Sequence, residues 1–270
     1  MPELTVNGVR LHYETAGTGP AVVLVHGWPF TWREWRPLIP LLAAAGFTVI
    51  APDLRGTGDS ERPATGYTKR EVAEDLHALV RELGFTTVNV AGTDIGTMVA
   101  QAWAMAYPDE VAHLVLSESL LPGFGLLEAG HWHFGFHAQL DLAEMLTAGR
   151  EAAYLGGMWD VMSDGRVPPG ERAEYLRTYA APGGMRGGFQ HYATLAEDDR
   201  AVREVAVVLP MPVLVLNGER GLPQPPLLAG ARQMAADVRA DIVPDSAYTI
   251  GLDNPEWVAR RLEQFFTAGR

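Results

Sequence analysis

Residues 86–104, TTVNVAGTDIGTMVAQAWA, restrict the fold more than any other stretch of the chain. A β-rich apolar run ends in Gly92-Thr93-Asp94-Ile95-Gly96, and residues with helical spacing follow at once. A chain that passes from strand to helix with no loop between them must turn sharply. Glycines flanking the bend remove side chains that neighbouring backbone would strike. Asp94 stands at the apex. An Asp at a helix start also serves as an N-cap, so the pentapeptide alone leaves two roles open for it: cap or reactive carboxylate.

The flanking sequence repeats the strand-then-helix rhythm. LTVNG and VRLHYETAG alternate around Asn7-Gly8, as an edge hairpin does. Ala21–Val25 is an unbroken apolar run suited to a strand covered on both faces. Helical spacing over Thr31–Ala45 precedes a strand at Phe47–Ala51, and a helix is expected over Thr68–Leu83. Strands at Val88–Ala91 and Ala112–Leu116 bracket the helix Ile95–Tyr107. Pro212–Leu216 and Val238–Val243 supply two further strands, and Asn254–Phe266 a final helix. This order predicts an α/β fold with a mainly parallel sheet of eight strands, flanked by helices. Between Leu121 and Val205 no buried strand is evident, and aromatic residues crowd a helical pattern with Pro-Gly breaks. The expected organisation is therefore a core of residues 1–121 and 206–270 interrupted by a helical cap, 122–205.

Composition excludes several classes of function. The 270 residues are 47% apolar and 20% charged, enough to build a large interior, and they carry a formal charge of −12. An excess of acid repels a phosphate backbone and an anionic membrane surface, so neither nucleic acid nor membrane is an expected partner. No apolar run is long enough to span a bilayer, and MPELTVNGVR lacks the pattern of a secretory leader, which predicts a cytoplasmic protein. The chain has no cysteine, hence no thiol nucleophile. The histidines show no ligand spacing accompanied by carboxylates and no glycine loop suits a phosphate, so no cofactor and no metal are expected.

Three segments in order, His26-Gly27-Trp28-Pro29, Asp53-Leu54-Arg55-Gly56-Thr57-Gly58-Asp59-Ser60 and Gly92-Thr93-Asp94-Ile95-Gly96, resemble the α/β-hydrolase superfamily. The likeness is to its epoxide hydrolase and haloalkane dehalogenase branch, where the strand-to-helix bend is the nucleophile elbow and carries Asp. The resemblance covers essentially the whole chain and implies an α/β-hydrolase fold with a helical cap. It implies that Asp94 attacks an sp³ carbon, for which a carboxylate ionised near pH 4 needs no base. Serine at that position would instead suit acyl transfer. By the same matching, the backbone N–H groups of Trp28 and Ile95 form the oxyanion hole.

The likeness breaks where a histidine base belongs. In the family this residue lies in a loop after the last strand, shortly before an Asn-Pro helix start, and here Tyr248 falls there. None of the 8 histidines lies beyond His191. A phenol ionising near pH 10 is a poor base at neutrality but a good hydrogen-bond donor. The loop Asn217-Gly218-Glu219-Arg220-Gly221-Leu222, where many relatives carry the triad acid, has no Asp. Glu118, after the strand that follows the elbow helix, matches the alternative acid position. Tyr192 matches a cap tyrosine that protonates the epoxide oxygen. The other cap tyrosine is missing, and His131-Trp132-His133-Phe134-Gly135-Phe136-His137 occupies its region. Trp132, His133, Phe134, His137 and Tyr154 are expected to line a pocket that His26 also reaches. The Arg or Trp that dehalogenases place after the nucleophile is Ile95, which disfavours halide removal.

Three functions fit this pattern. Asp94 can act as base or electrostatic stabiliser while a tyrosine or cap histidine protonates the ring oxygen and a hydroxyl of the substrate closes a new ring, giving an epoxide-opening cyclase or isomerase of specialised metabolism. A cap histidine or Glu118 can replace the missing base, giving a conventional epoxide hydrolase. A chain that keeps only the pocket is a binding protein. The expected ligand is a hydrophobic small molecule, and the expected assembly a monomer or homodimer.

Overall fold

The computed structural model describes residues 2–205 and 208–268. Eight strands form one sheet in the order β1-β2-β4-β3-β5-β6-β7-β8. They are β1 (Glu3–Val6), β2 (Val9–Ala16), β3 (Ala21–Val25), β4 (Thr48–Pro52), β5 (Val88–Thr93), β6 (Val111–Ser117), β7 (Val213–Gly218) and β8 (Val238–Val243). β1 and β2 pair antiparallel around Asn7 and Gly8, both at positive φ, and β2 pairs antiparallel with β4. All other pairings are parallel. The expected mainly parallel α/β sheet is thus the one observed.

The continuous apolar runs follow from burial on both faces. Along a strand successive side chains alternate faces. Val22 and Leu24 of β3, with Val49, Val115 and Leu214, meet α1 (Leu38–Ala44) and α12 (Pro255–Thr267). Val23, Val25, Val90, Leu114 and Val215 face the other way, onto α2 (Lys69–Glu82), α3 (Ile95–Ala106) and α10 (Gln224–Met234). The helix expected over Thr31–Ala45 is in fact broken. A single 3-10 turn, Trp32–Trp35, gives way to α1 after Pro37, because proline lacks the N–H that would continue the hydrogen-bond ladder. α2 begins at Thr68, where Thr68 and Glu71 form a reciprocal capping box.

Among the described residues six helices lie between β6 and β7: α4 (Trp132–His137), α5 (Leu140–Thr147), α6 (Glu151–Met162), α7 (Pro169–Tyr179), α8 (Gly184–Ala193) and α9 (Leu195–Arg203). They are called the cap below. The boundary expected at 206 falls on residues 206–207, outside the described residues. Leu155, Trp159, Tyr175, Tyr179 and Phe189 of the cap belong to the same buried cluster as the α2/α3/α10 face of the sheet, so the cap has no separate core. A short helix, α11 (Ile250–Asp253), completes the fold. Among the described residues no helix is long and apolar enough to cross a membrane.

Candidate active site

Sheet register gathers the expected polar residues at the C-terminal ends of the strands, where open α/β sheets place ligands. Thr93 pairs with Ser117 and Ser117 with Leu216, so the next residues, Asp94 and Glu118 just past their strands and Asn217 near the end of β7, lie side by side. Asp94 has φ 53°, a left-handed conformation that only a tight bend imposes. The flanking glycines are obligatory. A Cβ on Gly92 would lie 2.2 Å from the Gly96 carbonyl oxygen, and one on Gly96 would lie 2.3 Å from that of Val25. The Asp94 side chain makes no capping hydrogen bond to α3, which removes the N-cap role.

The carboxylate is instead held from two sides. Oδ1 accepts the Trp28 backbone N–H at 3.0 Å, and the Ile95 N–H also points to the carboxylate. Oδ2 accepts the phenolic O–H of Tyr248 at 2.5 Å. Burial pushes Asp94 up to about 6, against the hydrogen bonds from Tyr248, Trp28 and Ile95 and the charge of Lys69, which favour ionisation. The expectation of a carboxylate ionising near 4 is thus corrected: this group titrates close to neutrality because water is largely excluded from it. Tyr248 is held well above the ordinary phenol range by burial and by Asp94, and so stays neutral.

Glu118 plays a part different from the one expected of a triad acid. Its oxygens accept the backbone N–H groups of Gly218 at 2.5 Å and Leu222 at 2.6 Å, clamping the loop after β7. No hydrogen bond joins it to Tyr248 among the described residues. Burial raises it to about 8, so the protonated form predominates at neutral pH.

A cavity of about 560 Å³ opens above these groups. Asp94, Glu118 and Tyr248 line it from the core, and Trp132, His133, Phe134 and Tyr154 from the cap. Trp132 is 66% exposed and stands at the rim. Burial lowers His133 to about 4, which leaves it neutral and weakly basic. Tyr192 is buried behind this wall, its ring 5.6 Å from that of Trp28, and the negative charge of Asp94 helps keep it neutral. A smaller cavity, about 240 Å³, meets the first at Met98, but its ion pair Lys69–Asp198 is closed on itself.

Two expected pocket residues lie elsewhere. His26 does not line the cavity: its Nε2 accepts the Leu54 N–H at 3.1 Å and its Nδ1 contacts the Gly27 carbonyl, so the ring braces two loops of the core. His137 is one layer back, stacked on Phe189 at 4.6 Å and sharing a 2.6 Å hydrogen bond with Tyr154. Burial drives it down to about 2.

The cap also fixes the oxyanion loop. The Trp159 indole N–H donates to the Pro29 carbonyl at 3.2 Å, and the Tyr179 hydroxyl to that of Phe30 at 2.7 Å. From below, the fully buried Glu34 accepts the Gly27 N–H at 3.1 Å. Sequence reasoning missed Glu34, along with Arg220, Met158, Val161 and Met162 of the cavity wall. The available signal for Glu34 was an acid between Trp32 and Trp35 just after the oxyanion loop, a setting that Arg33 shares.

A family model described as the α/β-hydrolase fold matches residues 20–142. A soluble epoxide hydrolase of Corynebacterium sp. (strain C12) is 36% identical over 277 residues, covering 97% of this chain and 95% of that protein. Two solved structures superpose closely. Cfl2 of Burkholderia cenocepacia has a TM-score of 0.92 at 34% identity, covering 98% of this chain and 94% of its own. The epoxide hydrolase CorEH has a TM-score of 0.91 at 34% identity, covering 100% and 99%. The chain therefore belongs to the α/β-hydrolase superfamily, among its epoxide-hydrolase-like members.

Proposed function

We propose that this protein opens the ring of an epoxide carried on a hydrophobic small molecule, held between the sheet and a cap of residues 122–205. The supporting observation is the Asp94 carboxylate in the cavity, with Oδ1 on a backbone N–H and Oδ2 on the Tyr248 phenol. A base titrating near 6 beside phenols kept neutral by burial suits concerted acid–base chemistry at neutral pH.

Asp94 takes the proton from an incoming hydroxyl as its oxygen bonds to the epoxide carbon. Tyr248 gives its proton to the ring oxygen as the C–O bond breaks. The short Tyr248–Asp94 hydrogen bond then returns a proton to the phenolate. When the hydroxyl belongs to the substrate, the product is an isomer with a new ring. No imidazole among the described residues is hydrogen-bonded to Asp94 or Tyr248, and His133 is too weak a base to drive water onto an Asp94 ester, which favours this non-covalent course. With water in place of the substrate hydroxyl, the same groups yield a diol. The near full-length likeness to a soluble epoxide hydrolase favours that second outcome.

Turnover of an epoxide panel in ¹⁸O-water, read by mass spectrometry of product and intact protein, separates the cases. A cyclised product without label supports the isomerase, and a labelled diol the hydrolase. A stable adduct on Asp94 overturns the non-covalent course. Binding without product, unchanged in Asp94→Asn, overturns catalysis altogether.

A further inference from the structure

The described lining of the larger cavity holds one fixed cation, Arg220. It stands on the loop between β7 and α10, and its backbone N–H donates to the Ser246 carbonyl at 2.9 Å, close to the segment that carries Tyr248. Two other arginines along the seam between cap and core hold carboxylates within hydrogen-bond length. Arg33 reaches Glu171 at 2.7 Å, and Arg177 grips both oxygens of Asp59 at 2.9 and 2.8 Å. Arg220 is different. Its nearest acids are Asp164 at 3.5 Å and Asp245 at 3.8 Å, beyond the length of a charge-assisted hydrogen bond. Those carboxylates are 65% and 85% exposed, so water and salt screen them. A guanidinium offers five donors in a flat fork matched to a pair of oxygens. Among the described residues no carboxylate lies within charge-assisted hydrogen-bond length of this fork, which is 38% exposed in a wall otherwise made largely of apolar groups such as Phe134, Met158 and Met162.

We propose that Arg220 anchors an anionic oxygen group of the substrate, a carboxylate or phenolate, at the end remote from the epoxide, and so selects amphiphilic over neutral epoxides. The position of the epoxide rests on the function proposed above, whereas the anion site rests on Arg220 alone. The substrate's apolar body would lie along Phe134, Met158 and Met162, between Arg220 and Asp94.

Binding is tested without chemistry, using 1-naphthoate and methyl 1-naphthoate as probes in calorimetry at low salt. The wild-type protein is expected to bind the acid about tenfold more tightly than the ester. In Arg220→Gln that preference disappears while affinity for the ester is unchanged, and Asp164→Asn, which removes a competing carboxylate, strengthens it. An acid-to-ester ratio equal in wild type and Arg220→Gln overturns the proposal. In turnover, the KM advantage of 9,10-epoxystearate over its methyl ester is expected to vanish in Arg220→Gln. Acid preference without turnover of any epoxide would leave the anion site standing and overturn the enzymatic function, and turnover with an unaltered acid preference would do the reverse.

Discussion

The two walls of the cavity are built by different means. On the sheet side, backbone sets position: Gly92 and Gly96 admit no side chain, Asp94 is forced to positive φ, and backbone N–H groups hold both Asp94 and Glu118. On the cap side, rings set position: His137 lies against Phe189, Tyr192 and Trp28 at 4.5–4.6 Å between centroids. A backbone-built wall fixes atoms tightly and tolerates little change at its bends. A ring-built wall can exchange one apolar body for another, and so is the wall on which shape can drift while the reacting groups stay in place.

The largest effect that tests this contrast is expected from Gly92→Ala. Its Cβ has no space beside the Gly96 carbonyl, and the cost is about 3 kcal/mol or more, visible as a fall in the urea midpoint. A normal midpoint would show that the bend is not backbone-limited.

Asp94→Asn is expected to act in the opposite sense on stability. The native state binds the Asp94 proton more tightly than the unfolded chain does, so this group weakens the fold as pH rises from about 4 to about 6. Replacing it should stabilise the protein at pH 7 by up to about 3 kcal/mol, with the gain shrinking toward pH 4. Activity should be lost. A variant less stable than wild type at pH 7 would sink the assignment of a strained, desolvated carboxylate.

Tyr248→Phe removes the proposed proton donor together with a hydrogen bond that favours the ionised carboxylate, so the rate should fall and the acidic limb of the remaining activity should move up by about one pH unit from its position near 6. An unmoved limb would separate Tyr248 from Asp94 in function. The smallest effect belongs to the cap. Gly156→Ala in α6 meets open space and should raise stability by no more than about 1 kcal/mol in thermal melts.

The sheet was legible because strands buried on both faces have no polar side, as in AVVLV. Asp94 was legible because its bend demands glycines at fixed offsets, and Tyr248 because the Asn254-Pro255 helix start marks the loop before it. What escaped depended on side-chain direction or on burial. His26 follows β3 directly and adjoins the oxyanion loop in sequence, yet its ring turns inward to the Leu54 N–H. His133 and His137 are one helical turn apart, and only the first reaches the cavity. Arg220 lies in a loop that sequence reasoning searched for an acid, and nothing local says that a cation there faces the cavity. The elevated Asp94 and Glu118 proton affinities arise from exclusion of water, a property of the assembled fold.

The hydrogen bonds from Trp159 and Tyr179 to Pro29 and Phe30 have a consequence for engineering. Exchanging this lid for a homologous one to alter selectivity would also swap the struts under the Trp28 donor. A chimera would therefore need both struts transplanted intact, and a graft lacking them would suffer in reaction rate even if its new pocket bound the ligand well.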